Sequence, residues 1–156
     1  MGFYGVCIVC FYNGNYDLQH RNLYLDKITQ KERSKIMSKV KSENTSPEMV
    51  VRKLIFSLGY RYRLHDKNLP GKPDLVFPGR KKVIFVHGCF WHMHDCKRGK
   101  PPESNKDFWL PKLHHNKMRD ADNIRELEKT GWKVLVIWQC RLKKKLELEA
   151  TIKAFL

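Results

Sequence analysis

Residues Val83, Ile84, Phe85 and Val86 form a wholly apolar run that delivers His87 and breaks at Gly88. The turn that follows, Cys89-Phe90-Trp91-His92-Met93-His94-Asp95-Cys96, packs two cysteines, two histidines and two aromatics into eight residues. The run reads as a buried strand, and Val134-Leu135-Val136-Ile137-Trp138 reads as a neighbour beside it, closed by Cys140. A third run, Leu75-Val76-Phe77, is turned by Pro78-Gly79-Arg80 into an antiparallel hairpin with Val83–Val86. Chemistry-bearing residues are thereby expected at adjacent strand ends.

Cys89, His94 and Cys96 offer two thiolates and an imidazole, and tetrahedral zinc takes four such ligands at about 2.0–2.3 Å. Cys140 is the best candidate for the fourth. The spacing C-x4-H-x-C, then 43 residues, then C, matches no common finger pattern, so this reading rests on ligand type and on the pairing of strand ends. The alternative is three buried cysteines with surface histidines. A strongly basic, apparently intracellular chain is a poor place for disulfides, which favours Zn2+.

His87 and His92 are then left over, free to move protons near neutral pH or to serve as a further ligand or a core histidine. Leu69-Pro70-Gly71-Lys72-Pro73-Asp74 is a rigid turn that sets a carboxylate at the start of an apolar run, near His87 across the hairpin. Such a carboxylate suits a hard divalent cation. An Asp after Pro is also an ordinary turn residue.

The chain carries 31 basic and 16 acidic residues, a net charge of +15, with a pI near 9.7. This exceeds the magnitude of about 2–8 usual for a small domain. A polyanion partner, most simply nucleic acid, is expected; no amphipathic or lipidated segment suggests a membrane. Residues 1–26 hold Asp17, Asp26 and Arg21, a net of −1, so residues 27–156 carry +16. The domain expected to bind the polyanion therefore spans 27–156, and 1–26 is expected to be a disordered or loosely attached extension. Cys7 and Cys10 in it make a lone C-x-x-C without a second ligand pair. Its apolar stretch falls short of the roughly 18 residues of a membrane span, and it lacks the basic start of a signal peptide.

Thr29-Gln30-Lys31-Glu32 is a capping-box pattern opening a basic helix to about Lys41. Met37 lies on that helix, as a packing residue or as a wedge into a duplex. Thr45-Ser46-Pro47-Glu48 caps a second helix, stopped at Gly59, in which Glu48 can simply complement the helix dipole. Tyr60–Leu64 alternates like an edge strand. A helix follows from Asp107, with Phe108 and Trp109 at its start and Gly131 at its end; His114 and His115 read as surface or phosphate contacts. A strand over Trp132–Cys140 and a last helix opened by Arg141–Lys145 complete the chain. This order fits an α/β sandwich around a mixed central sheet.

Taken together, Pro73-Asp74, Phe85 through Cys96, Phe108-Trp109-Leu110 and Gly131 through Cys140 resemble the very-short-patch-repair (Vsr) DNA endonucleases, over about residues 27–145 with all blocks in order. The resemblance implies a restriction-endonuclease-like sandwich of the PD-(D/E)xK kind, with Phe85-Val86-His87 in place of the usual Glu-x-Lys strand. It implies that Asp74 binds catalytic Mg2+ with the main-chain carbonyl of Val86. It implies His92 as general base, supported by His87 and Glu48, and a structural zinc on Cys89, His94, Cys96 and Cys140. Phe90, Trp91, Trp109 and Met37 fall on positions that wedge into DNA beside a T·G mismatch. Val86 departs from a family threonine, without consequence for a backbone contact.

The expected activity is nicking of one strand at T·G mismatches left by 5-methylcytosine deamination, starting very-short-patch repair of damaged DNA. The partner would be double-stranded DNA, with mismatch-repair proteins suggested by family analogy. A monomer in the bacterial cytoplasm, held at the nucleoid through DNA, is expected. Two rivals use the same residues differently. A restriction-type nuclease of this fold would ignore mismatches, and a zinc-stapled DNA-binding module would have no use for Asp74, His87 or His92.

Overall fold

The computed structural model describes residues 29–156. The expectations for residues 1–26, Cys7 and Cys10 included, lie outside them. Helices α1 (Gln30–Ser38) and α2 (Ser46–Ser57) precede strands β1 (Arg63–Leu64), β2 (Leu75–Phe77) and β3 (Lys82–His87). Helix α3 (Lys106–Lys129), strand β4 (Lys133–Trp138) and helix α4 (Lys145–Phe155) follow. Both anticipated capping boxes form, Thr29 with Glu32 and Thr45 with Glu48. Each satisfies backbone donors that a helix start otherwise leaves without partners.

The sheet order is β1-β2-β3-β4, antiparallel across the first two pairings and parallel for β3 with β4. Alternation along the strands sends successive side chains to opposite faces. Leu75, Phe77, Ile84 and Ile137 pack with Val51 and Ile55 of α2 and with Leu148 and Ile152 of α4. Val76, Val83 and Phe85 pack on the other face with Leu127, and Ile124 of α3 joins them. The result is a mixed sheet with α2 and α4 on one side and α3 on the other, so a single residue of register decides which helix a side chain meets.

Because β2 runs against β3 and β4 runs with it, the start of β2 and the ends of β3 and β4 lie at one edge of the sheet. Asp74, His87 and Trp138 are brought there by chain direction alone.

Several boundaries differ from the sequence reading. The first helix ends at Ser38, where the amides of Lys39 and Val40 donate to the carbonyls of Ile36 and Met37. The edge strand shrinks to Arg63–Leu64, because β2 offers it only Val76 and Leu75 and the chain turns at His65 with φ +47°. The last strand stops at Trp138, which pairs with His87, the final residue of β3. With no ladder partner beyond that point, Gln139–Lys143 curl into a 3-10 turn that aims Cys140 back toward the loop after β3. Helix α4 starts after this turn, and among the described residues no helix is long and apolar enough to cross a membrane.

Candidate active site

The shared sheet edge opens into a cleft of about 1080 Å³. Three clusters of ligating side chains lie at this edge: Glu48, His65 and Asp74; His87, His92 and Asp120; and Cys89, His94, Cys96 and Cys140. In each cluster, one ligand atom per residue lies within 4.8 Å of the others. The first two clusters line the cleft.

Asp74 leaves the Pro73 turn with its carboxylate Oδ2 accepting from the Val86 amide at 2.7 Å. Burial pushes its pKa up to about 6, against the lowering effect of that amide; the Glu48 charge adds to the rise, and His65 and Arg52 oppose it. The structure groups Glu48 with Asp74 and His65, on the α2 side of the cleft. Glu48 is fully buried, pairs with Arg52 four residues along the helix, and lies 3.1 Å from His65 Nε2.

On the α3 side, the parity of β3 carries His87 to the same face as Val83 and Phe85. Its ring stacks on His92, centroids 3.9 Å apart and planes 6° from parallel. His92 Nδ1 is hydrogen-bonded to Asp120 Oδ2. A carboxylate only accepts, so Nδ1 carries a proton, and in the neutral ring the lone pair lies on Nε2. Burial, then the neighbouring His92, drives the His87 pKa down to about 4, which leaves it neutral near pH 7. Asp120 is raised by burial but lowered overall by His92, His87 and Arg119, and stays ionised.

The cysteine cluster sits behind this pair. A zinc ion with one nitrogen and one sulfur ligand at tetrahedral angles places those atoms about 3.6 Å apart. His94 Nδ1 and Cys140 Sγ are 3.6 Å apart, so the set fits such an ion. Hydrogen bonding to His94 lowers the Cys96 thiol to about 6, while burial raises Cys89 to about 11. The loop closes tightly: His94 N–H donates to the Cys89 carbonyl at 3.0 Å, and a Cβ on Gly99 would lie 1.9 Å from the His94 carbonyl oxygen.

Phe90 and Trp91 pack edge-on against Trp109 and each other, at centroid distances of 5.0–6.0 Å. Asn116 of α3 donates to the Trp91 carbonyl and ties the loop down. Trp109 is buried, its indole N–H without a partner, while Phe108 packs edge-on against it and is exposed. Lys112 lies 5.4–5.9 Å over three of the rings. Met37 is half-buried on α1; the segment behind it reaches the cleft through Lys39, Val40 and Lys41.

A family model described as DNA mismatch endonuclease Vsr matches residues 25–98. The type II nicking enzyme V.XorIIP of Xanthomonas oryzae pv. oryzae is 48% identical over 131 residues, which cover 84% of this chain and 96% of that protein. The chain belongs to the Vsr family. The type II nicking enzyme V.NmeAIP of Neisseria meningitidis is 51% identical over 120 residues, which cover 77% of this chain and 86% of that protein. The DNA mismatch endonuclease Vsr of Escherichia coli is 41% identical over 118 residues, covering 76% of this chain and 74% of that protein.

The catalytic domain of the homing endonuclease I-Bth0305I, at 20% identity and a TM-score of 0.50, covers 72% of this chain and 94% of its own. That likeness shows the fold, a restriction-endonuclease-like sandwich with a mixed sheet. The protein is therefore a Vsr-family DNA endonuclease, as its residues led us to expect.

Sequence reasoning missed Asp120, His65 and Arg52. Asp120 had a signal: with Asn116 and Asn123 it shares the inward stripe of Leu113, Ile124 and Leu127, where polar residues need a reason. His65 and Arg52 had none.

Proposed function

We propose that this Vsr-family endonuclease nicks one strand of double-stranded DNA at T·G mismatches produced by 5-methylcytosine deamination, and so begins very-short-patch repair. The observation that carries this reading is the chain Asp120–His92–His87, opening into the cleft that Asp74 lines, with the aromatic cluster packed on the same loop.

In this reading His92 Nε2 takes the proton of the attacking water, while ionised Asp120 holds the ring and offsets the imidazolium that forms. Neutral His87 stacks on that ring without adding a second positive charge. Glu48 supports the site from the α2 side through its contacts with Arg52 and His65. Asp74 and the Val86 main-chain carbonyl are the groups that would hold Mg2+ in this cleft. When bound there, the ion supplies Lewis-acid polarisation and neutralises charge on the phosphate. Cys89, His94, Cys96 and Cys140 hold a structural Zn2+ that fixes the loop carrying His92.

Phe90, Trp91 and Met37, joined by the buried Trp109 once the aromatic cluster opens, enter the duplex at the mismatch, where unstacking, a few kcal/mol per step elsewhere, costs least. The protein works as a monomer in the bacterial cytoplasm, with mismatch-repair proteins as partners by family analogy.

The relatives named as type II nicking enzymes favour a second reading, in which sequence context rather than the mismatch selects the site. Strand-resolved nicking with Mg2+, on duplexes carrying a central T·G or T·A pair in randomised flanks, separates the two. The repair reading expects cleavage of T·G duplexes on the T strand, abolished in His92→Ala. Equal cleavage of T·A duplexes would hand the function to the second reading. Tight binding without any cleavage would leave only a zinc-stapled DNA-binding module.

A further inference from the structure

Two basic turns that are distant in sequence meet at the cysteine cluster. The first is the 3-10 turn Lys97–Gly99, which follows Cys96 directly and leads into Lys100. The second is the turn Gln139–Lys143, which carries Cys140. They meet because ligating atoms of Cys89, His94, Cys96 and Cys140 lie within 4.8 Å of one another. Lys97, Arg98, Lys100, Arg141 and Lys143 are all exposed, and none of them lines the cleft. Among the described residues none of these cations has an ion-pair partner, whereas the next residue, Lys144, pairs with Glu147 at 2.8 Å. Like charges gathered on one surface repel one another, so the arrangement costs the fold stability and suits a polyanion.

The loop after β3 ties this patch to the cleft. His92 lines the cleft, and Lys97 stands five residues further along the same loop. Five residues span at most about 18 Å, which is the rise of about five base pairs. DNA leaving the cleft on the cysteine side therefore passes within reach of these side chains. We infer that residues 97–100 and 141–143 form a second phosphate-binding surface, which holds one flanking arm of the duplex outside the cleft. The inference rests on the reading of double-stranded DNA as the substrate. It adds an anchor that is indifferent to base identity and, because only one arm is held, gives the protein a fixed direction along the duplex.

Binding without Mg2+ to T·G duplexes with two long arms, or with either arm cut to about three base pairs and closed by a hairpin, tests this. Lys97→Gln with Arg98→Gln, and Arg141→Gln with Lys143→Gln, each empty one turn of two cations. Melting, and the nicking rate on saturating DNA, should stay at wild-type values in both. Each double variant should bind the long duplex about tenfold or more weakly, with a log–log salt slope lower by about two. Wild type should lose as much when one particular arm is cut, and the variants should lose little further from that same cut. Lys129→Gln with Lys133→Gln, at the end of α3 and the start of β4, removes the same charge at the opposite edge of the sheet. It should weaken binding by less than about threefold, because screening confines each charge to its own neighbourhood.

Losses no larger than those of the Lys129 and Lys133 variant would overturn the inference. So would variants that respond to the cutting of each arm as wild type does, or an effect confined to one of the two turns. A wild type that neither binds nor nicks the long duplex would instead overturn the reading of its substrate.

Discussion

Asp74 and His87 are each held away from their ordinary protonation behaviour, and in opposite senses. A carboxyl whose pKa is raised to about 6 stabilises the fold fully below its unfolded value near 3.8, and that stability is lost as pH rises through 6. A histidine depressed to about 4 contributes stability above its unfolded value near 6.5, which is lost as pH falls through 4. Between these limits the two largely offset each other, so single substitutions should expose them. Asp74→Asn keeps an acceptor for the Val86 amide and removes a desolvated charge. It should melt higher than wild type at neutral pH without Mg2+, by up to about 3 kcal/mol, and should not nick. His87→Gln should leave the Asp74 contribution uncompensated, so that stability rises on acidification between about pH 6 and 4, read by melting across pH.

Nicking itself should fall as pH drops through about 6, because a protonated Asp74 cannot hold a cation. Raising Mg2+ tenfold should move that limb down by as much as about one pH unit, since metal and proton compete for the same oxygen.

At the level of elements, the loop after β3 is where local sequence was most informative. The strand runs, the hairpin and the cysteine-histidine set are short-range patterns, so residues a few positions apart announce them. Cys140 was legible because it ends a second apolar run, and the 3-10 turn after Trp138 is what delivers it. What pairs His92 with Asp120, or Arg52 with His65, is the docking of helices on opposite faces of the sheet, and lone polar residues carry no periodic trace of it. Phe108 was placed correctly at a helix start, yet its exposure beside a buried Trp109 depends on packing that spacing does not encode.

Gly99 tests how firmly the loop is built. Gly99→Ala would drive a methyl group into the His94 carbonyl, so the loop must shift. The expected loss is about 3 kcal/mol, together with a lower zinc content by metal analysis and weaker nicking. A Gly99→Ala protein with normal melting and zinc content would mean that the loop is soft.

For the whole molecule, a charge of +15 predicts DNA binding that weakens steeply with salt. Lys72 and Arg119 both line the cleft, and replacing either with Gln should reduce the log–log salt slope by about one while weakening T·G and T·A duplexes alike. A change confined to T·G duplexes would mark the residue as reading bases rather than phosphates.

Strands β3 and β4 are neighbours in space but are separated in sequence by the whole of α3. On the ribosome, the loop with His92 emerges long before β4 and Cys140 can fasten it. A chain ending before β4 keeps most of the basic charge but lacks the strand that seats this loop, so it should bind DNA without cutting it, read by gel shift beside a nicking assay.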